Sequence, residues 1–396
     1  MTRRRWSAGR ATAALLMATV WMATGMAVYL YLSAHRSTVA DQVKKPGEGK
    51  AMSGPITRLP GTLYIAQGGT MYRLQRGTFT PVLNAPGGAS RWTQPAFTPN
   101  GENLAVVRRD YASSDLYVID TSGRVVNQLT HNANRTVEFN HWAFYPRFSP
   151  DGSSLFFSYD RKDPGNIYNV VLSVYSMPPT GNFNQAKKWT VPASYTGGDI
   201  QPIPLPSGGL VYTKYSFDEK AKRILSQIYL MTRSGAPGKP LTLIEDDCSQ
   251  PAFSPDGQRL AMICTGGKQF ANIEIAPFDG SKLGQRQVLV SGQLAAQPTW
   301  SPDGTSLVYL APKSVTGHFQ LWLQPVPTPT TPQSSAPTSI PTKSGGPVRG
   351  TQVGQPAATP TPPPATPTPS STPLPQPVQL TSDLDFDATS TIAWHG

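Results

Sequence analysis

The stretch FSPDGSSLFFSYD at residues 148–160 decides the fold, because related stretches return along the chain. In each copy Pro, Asp and Gly predict a tight turn: Pro restricts φ, the Asp side chain binds nearby backbone amides, and Gly adopts a conformation that other residues avoid. The residues after the turn are rich in β-forming types and predict a largely buried strand. The other copies are AFTPNGENLAVV (96–107), AFSPDGQRLAMIC (252–264), TWSPDGTSLVYL (299–310) and the weaker IPLPSGGLVYTKY (203–215).

The spacing of these copies gives the size of the repeating unit. Units of about 40 to 50 residues, each a small antiparallel sheet, are typical of propeller blades. One such sheet cannot bury both of its faces alone, so the units must stack around an axis. The turn prolines lie 51, 56, 49 and 47 residues apart, at Pro99, Pro150, Pro206, Pro255 and Pro302.

The two ends of the repeat region supply one further blade. The last residues, DFDATSTIAWHG (385–396), match a turn and a first strand, but no partner strands follow them. The missing strands are GTLYIAQ (61–67), TMYRLQ (70–75) and TFTPVL (78–83). A closing blade built from N- and C-terminal strands removes the open sheet edge. The sequence therefore predicts an all-β, six-bladed β-propeller over residues 60–324 and 378–396.

Composition agrees with this fold and indicates one segment without structure. The 41 prolines and 35 glycines, with only 14% charged residues, argue for many short strands and turns or for a disordered part. Residues 325–377 are rich in Pro and Thr and predict a disordered, partly polyproline insertion in the last blade. We interpret it as an inert loop; a cell-wall or O-glycosylated spacer and a docking segment for a polyproline-binding module are the alternatives.

The N-terminal residues predict a membrane anchor. A basic tail at 1–10 precedes 22 uncharged residues, Ala11 to Leu32, a length that crosses a bilayer as one helix. The arginines before this segment place the tail in the cytoplasm and the propeller, after a linker at 33–59, outside it. The predicted protein is thus a single-pass cell-membrane protein with an extracytoplasmic propeller. A cleaved signal peptide and a twin-arginine export signal are weaker interpretations.

The net charge of +11 does not indicate a nucleic-acid partner. Residues 1–50 hold eight Lys or Arg against Asp41 and Glu48, so more than half of the excess flanks the predicted anchor. The rest of the chain lacks a basic stripe interleaved with aromatic residues, as single-strand binders use.

Cysteine and histidine usage predicts no metal and no cofactor. Cys248 and Cys264 flank one repeat copy, 16 residues apart, and in an oxidising compartment they form a disulfide; two buried thiols are the equal alternative. Five histidines are scattered without ligand spacing. Asp383, Asp385 and Asp387 alternate as in a calcium loop, but the loop Gly and the bidentate Glu are missing.

The repeats carry a family resemblance. FSPDGSSLFF, FSPDGQRLAM and WSPDGTSLVY resemble the WD40-like (PD40) repeats of the TolB family of propellers, over about residues 60–325 and 377–396. The resemblance implies the fold and is weak for function, because unrelated activities share the ring. TolB itself has a separate α/β domain before the propeller and works with a peptidoglycan-associated lipoprotein. The 27 residues at 33–59 are too short for such a domain, so we expect those partners not to carry over.

Catalysis is not expected. Peptidases that carry a similar ring attach a hydrolase domain with a GxSxG elbow, and that pentapeptide does not occur in this sequence. Some propellers of this repeat type are lyases that use histidine-bound metal; His131 and His141 are the residues that such a reading would use.

A binding site is predicted at the mouth of the axial channel, in the segments that precede each first strand. Glutamines recur there before a proline, and with their neighbours they would form a polar ring with aromatic edges, suited to a peptide end, a sugar or an acidic side chain. The alternative is that Gln-Pro is the structural entry to each blade. The predicted residues are Trp92, Gln94, His141, Trp142, Asp199, Gln201, Gln250 and Gln297.

The sequence therefore predicts a membrane-anchored, TolB-like propeller that acts as a non-catalytic scaffold for a protein or ligand at the cell envelope. The expected partner is an envelope protein or peptide, with a cell-wall glycan as the other candidate. A carbohydrate-active, lyase-like propeller is the alternative function.

Overall fold

The computed structural model describes residues 53–160, 169–181, 183–327 and 374–396. These residues form six four-stranded antiparallel sheets, which confirms the six-bladed propeller. Blades 1 to 5 follow chain order, and in each the first strand is innermost and the fourth outermost.

The strand bounds of blades 1 to 3 are as follows. Blade 1 holds β4 (Arg91–Phe97), β5 (Asn103–Arg109), β6 (Ser114–Asp120) and β7 (Val125–Gln128). Blade 2 holds β8 (Trp142–Phe148), β9 (Leu155–Asp160), β10 (Ser173–Met177) and β11 (Lys187–Lys188). Blade 3 holds β12 (Asp199–Pro204), β13 (Leu210–Asp218), β14 (Arg223–Met231) and β15 (Lys239–Pro240).

The remaining strands form blades 4 and 5 and the closing blade. Blade 4 holds β16 (Cys248–Phe253), β17 (Arg259–Cys264), β18 (Ala271–Pro277) and β19 (Gln287–Gln293). Blade 5 holds β20 (Ala296–Trp300), β21 (Ser306–Pro312), β22 (Phe319–Pro325) and β23 (Val378–Gln379). The closing blade has the order β24 (Ala393–His395), β1 (Thr62–Gln67), β2 (Thr70–Gln75) and β3 (Thr78–Leu83).

The closing blade joins the two ends of the described chain, as the sequence predicts. Thr62 pairs with His395 and Tyr64 with Ala393 in an antiparallel ladder. The Trp394 indole N–H also donates to the Pro60 carbonyl at 2.7 Å. Because β24 supplies the inner strand, the ring has no unpaired inner edge at this point.

The repeated turn has one hydrogen-bond pattern wherever Ser-Pro-Asp-Gly occurs. In FSPDGSS the Ser149 hydroxyl donates to Asp151 Oδ1 at 2.5 Å and accepts from the Ser154 amide at 2.9 Å. The Gly152 amide donates to the Ser149 carbonyl at 2.8 Å, with φ of 72° at Gly152. Hydrogen bonds from the hydroxyls of Ser149 and Ser153 and from the Ser153 amide lower the pKa of Asp151 to about 2. Ser254 with Asp256 and Ser301 with Asp303 repeat the same contact at 2.5 Å.

The core lies between blades. Alternate residues of the strands pack against the neighbouring sheet, so that Tyr64 contacts blade 1 and Ile65 lies with Val308 and Leu310 of blade 5. The blade interface also holds polar links, such as the Trp300 indole N–H that donates to the Ala252 carbonyl at 3.0 Å.

The two ends of the predicted insertion are held together. β22 pairs with β23 through Leu323 and Val378, and Gln324 Nε2 donates to the Pro375 carbonyl at 2.8 Å. Residues 328–373, most of the predicted insertion, lie outside the described residues.

The predicted membrane location requires correction. Within the described ranges, helical structure is limited to 3-10 turns of three or four residues, at Pro55–Arg58, Val137–Phe139, Phe183–Gln185 and Ile244–Asp246. A bilayer crossing needs about 20 residues. No helix in this part of the protein could cross a membrane. The prediction of a single-pass membrane protein, with the membrane as a partner, is therefore wrong for the described structure. The predicted anchor at 11–32 lies outside the described residues, as do the tail and most of the linker.

Candidate functional site

The inner strands of blades 1 to 5 share an irregularity at the predicted Gln-Pro position. Pairing with the second strand is interrupted there by a bulge, and the bulge residue has positive φ. Positive φ is unusual for residues other than Gly, Asn and Asp and costs on the order of 1 kcal/mol. Each bulge residue is followed by a proline, which has no backbone N–H and therefore leaves no donor unpaired where the ladder is interrupted. The φ values are 53° at Gln94, 54° at Tyr145, 55° at Gln201, 54° at Gln250 and 55° at Gln297.

The glutamines at these bulges connect neighbouring blades. Gln94 Oε1 accepts a hydrogen bond from the Tyr145 amide at 2.7 Å. Gln201 Oε1 accepts from the Gln250 amide at 3.1 Å, and Gln250 Oε1 from the Gln297 amide at 2.6 Å. In each case an amide left unpaired by the bulge gains an acceptor from the preceding blade.

The same chain of contacts reaches the closing blade. Gln297 Nε2 donates to the Ala388 carbonyl at 3.0 Å, and the Gln94 amide donates to the Ser390 hydroxyl at 2.8 Å. The four predicted glutamines thus lie together around the axis. Their hydrogen bonds among the described residues are to backbone or to other side chains of the ring, which supports a structural role for Gln-Pro.

Three other predicted residues make contacts within or between blades and are not among the residues that line the axial cavity described below. Trp92 is 8% exposed, packs edge-on against Tyr117 at 5.3 Å and donates its indole N–H to the Asn84 carbonyl. The His141 Nδ1 atom lies 2.9 Å from the Asp160 carbonyl. Asp199 is fully buried beside Lys214, 3.1 Å away. Burial raises the pKa of Asp199, and Lys214 opposes that effect.

Trp142 belongs to a partly exposed basic and aromatic cluster. Its ring stacks on Phe144 with centroids 5.6 Å apart, and the Arg109 guanidinium lies 5.7 Å from the Trp142 ring. Burial, followed by the charge of Arg91, lowers the pKa of Arg109. The sequence-based prediction included neither arginine.

The axial channel contains a cavity of about 420 Å³. It lies between the inner strands of blades 2 to 5 and residues 391–396, and it extends from the bulges toward the repeated turns. Gln201, Gln250 and Gln297 line it, whereas the other five predicted residues are not among its lining residues. Its walls also include Pro146, Pro202, Pro251 and Pro298 and the rings of Tyr145, Phe253, Trp300, Trp394 and His395.

Two side chains of β8 add a phenol and a cation to the cavity wall. Burial raises the pKa of Tyr145 to about 12, so its phenol stays protonated and can donate a hydrogen bond. Arg147 is the cation in the wall, and burial lowers the pKa of its guanidinium. No Asp or Glu side chain occurs among the described residues that line the cavity. The arrangement can therefore receive a ligand with apolar parts and one negative charge.

The described residues contain no group of three or more His, Cys, Asp or Glu side chains that could hold a metal ion. Asp385 instead lies 3.1 Å from His318, and the Asp387 carboxylate accepts from the Thr389 amide. Cys248 and Cys264 form a disulfide between β16 and β17, where they are direct cross-strand partners.

Comparison with known proteins identifies the type of propeller. Residues 136–323, just under half of the chain, match the PD40 family model, described as the TolB beta propeller domain. The chain is 27% identical over 164 residues to the TolB homolog of Chlorobium chlorochromatii (strain CaD3), covering 41% of this chain and 31% of that protein. It is 25% identical over 191 residues to the uncharacterized peptidase YuxL of Bacillus subtilis (strain 168), covering 48% of this chain and 24% of YuxL. The chain thus spans no more than about a third of these relatives.

A solved structure shows the same fold. The crystal structure of TolB from Acinetobacter baumannii matches with a TM-score of 0.51 at 19% identity, covering 67% of this chain and 61% of TolB.

Proposed function

Because the propeller of this chain is TolB-like, we propose that it is a non-catalytic binding module that receives part of a protein or peptide partner in its axial cavity. The observation that carries this proposal is the cavity itself, about 420 Å³ in volume and lined by the inner strands of four blades and the last residues of the ring. Apolar walls with few polar groups are typical of binding sites.

The chemistry of the walls supports binding rather than catalysis. A nucleophile or general acid–base needs a partner within hydrogen-bond reach and a shifted pKa that suits proton transfer. In the cavity burial raises the pKa of the Tyr145 phenol to about 12, so it keeps its proton near neutral pH, and an arginine guanidinium does not exchange a proton at that pH. The match to the peptidase YuxL covers only 24% of that protein and does not carry its activity to this chain.

The test captures a partner on the immobilised full chain. It then asks whether that capture is lost when a larger side chain fills the cavity. Ile203 lines the cavity, so Ile203→Trp should block it. Val126, 55% exposed on the outer strand β7, provides the matched control, Val126→Trp. We expect a protein or peptide that the wild type and Val126→Trp retain and Ile203→Trp loses, with no effect of a chelator.

Two results would contradict the proposal. Equal retention by Ile203→Trp would place the binding surface elsewhere. Recovery of glycans alone, lost on chelation, would support the carbohydrate-active alternative.

A further inference from the structure

Arg147 occupies a position at which the other bulged blades carry uncharged side chains. After each bulge, one residue resumes pairing with the second strand, and in blade 2 that residue is Arg147, opposite Phe156. The blade architecture does not require a charge at this position, since four other blades form the same bulge without one. The corresponding residues are Ala96, Ile203, Ala252 and Thr299.

The Arg147 guanidinium lacks a partner among the described residues. None of the ion pairs or side-chain hydrogen bonds found there includes it. Desolvation is the only influence on its pKa, which means that no neighbouring carboxylate favours its charged form. Arg147 is half-buried in the cavity wall, and a cation without a counter-ion there is available to pair with an anionic ligand.

The neighbouring groups indicate which anion fits. Arg147 is the one Lys or Arg among the described lining residues, so it is the guanidinium that an anionic group of a ligand would meet in this wall. A phosphate carries nearly two negative charges and needs several donors, whereas a carboxylate carries one. The planar guanidinium fork also matches the two oxygens of a carboxylate.

We propose that Arg147 binds a carboxylate presented by the partner, either its C-terminal carboxylate or an Asp or Glu side chain. The site lies in the same cavity and therefore rests on the proposed function. The prolines and rings around Arg147 would enclose the backbone next to the carboxylate, excluding water and strengthening the ion pair.

The test uses three N-acetylated peptides against the full-length chain: pentaglycine with a free C-terminus, tetraglycyl-glutamate with an amidated C-terminus, and pentaglycine amide. Trp300 and Trp394 line the cavity and report binding by fluorescence. We expect at least one of the two acids to bind about tenfold more tightly than the amide. Preference for the free C-terminus or for the glutamate identifies the source of the carboxylate.

Variants connect this preference to Arg147. Arg147→Gln should abolish the advantage of the acid, and Arg147→Lys, which keeps the charge but loses the fork, should retain only part of it. Arg135→Gln, at an exposed arginine outside the cavity, should bind as the wild type does.

Two results with the wild type alone would overturn the inference: equal binding of the acids and the amide, or no binding of either acid. Partner capture that is lost in Ile203→Trp but unaffected in Arg147→Gln would also overturn it, while the proposed function would stand. Failure of the proposed function would instead appear as capture unaffected by Ile203→Trp.

Discussion

The side-chain Oε1 of Gln250 lies 2.6 Å from the backbone nitrogen of Gln297, so that the inner strand of blade 4 is hydrogen-bonded to the inner strand of blade 5 at the bulge of each. The bulge takes the backbone amide of Gln297 out of the regular ladder of hydrogen bonds. The side chain of Gln250 gives that amide a new acceptor and so offsets the cost of the lost hydrogen bond. Repetition of the contact around the axis makes the glutamines part of what holds the ring together.

Removing one such acceptor should destabilise the propeller. Gln250→Met keeps the length of the side chain but leaves the buried amide of Gln297 without its acceptor. We expect the free energy of unfolding to fall by about 1–2 kcal/mol, measured by urea denaturation. Gln75→Met, at an exposed glutamine of β2, is the control and should change it by less than about 0.5 kcal/mol. An equal effect of the two substitutions would contradict a linking role for Gln250.

The repeated turn makes stability depend on pH. Hydrogen bonds from Ser149 and Ser153 lower the pKa of Asp151 to about 2, below its usual 3.8. The ionised carboxylate therefore stabilises the fold fully above pH 4, and this contribution is lost as the pH falls through the range from 4 to 2. Asp151→Asn should be less stable than the wild type at pH 7, and the difference should shrink on acidification. A difference that stays constant between pH 7 and pH 3 would contradict this assignment.

The disulfide between Cys248 and Cys264 closes a loop with a sequence separation of 16 residues. In the chain-entropy account a loop of this size contributes about 3 kcal/mol. The double variant Cys248→Ala/Cys264→Ala should therefore have a lower unfolding free energy by about 2–4 kcal/mol in thermal or urea denaturation. Reductant should destabilise the wild type and leave the double variant unchanged; sensitivity of both would show that the reductant acts elsewhere.

Arg147 should reduce the stability of the unliganded protein. Its guanidinium is half-buried in the cavity wall and has no counter-ion among the described residues, so Arg147→Met should raise the free energy of unfolding, by less than about 1 kcal/mol. Arg135→Met, at an exposed arginine, is expected to be neutral in the same urea titration. Destabilisation by Arg147→Met would indicate that the side chain packs favourably in the cavity wall.

The architecture could be predicted from sequence because its signals are local and repeated. A turn with Pro, Asp and Gly followed by a β-forming run specifies each inner hairpin without knowledge of the rest of the chain. The closing blade also followed from sequence, since Ala393–His395 had no partner strands nearby and Thr62–Gln67 had no inner neighbour.

The direction of the site side chains could not be predicted in the same way. Along a regular strand, side chains alternate between faces, but a bulge adds a residue and reverses the alternation beyond it. Arg147, beyond its bulge, therefore reaches the cavity, and Gln250, at its bulge, contacts the next blade. Trp92, before its bulge, enters the core, although sequence spacing placed it in one binding ring with Gln250. A lone arginine in a strand reads as a solvent-exposed residue, which is why Arg147 was missed.

Hydrogen–deuterium exchange of the full chain, with and without the captured partner, tests the central claim most directly. Binding in the axial cavity predicts slower exchange in the inner strands Trp142–Phe148, Asp199–Pro204 and Ala296–Trp300, with no change in the outer strands Val125–Gln128 and Lys239–Pro240. Protection confined to the outer strands would contradict it.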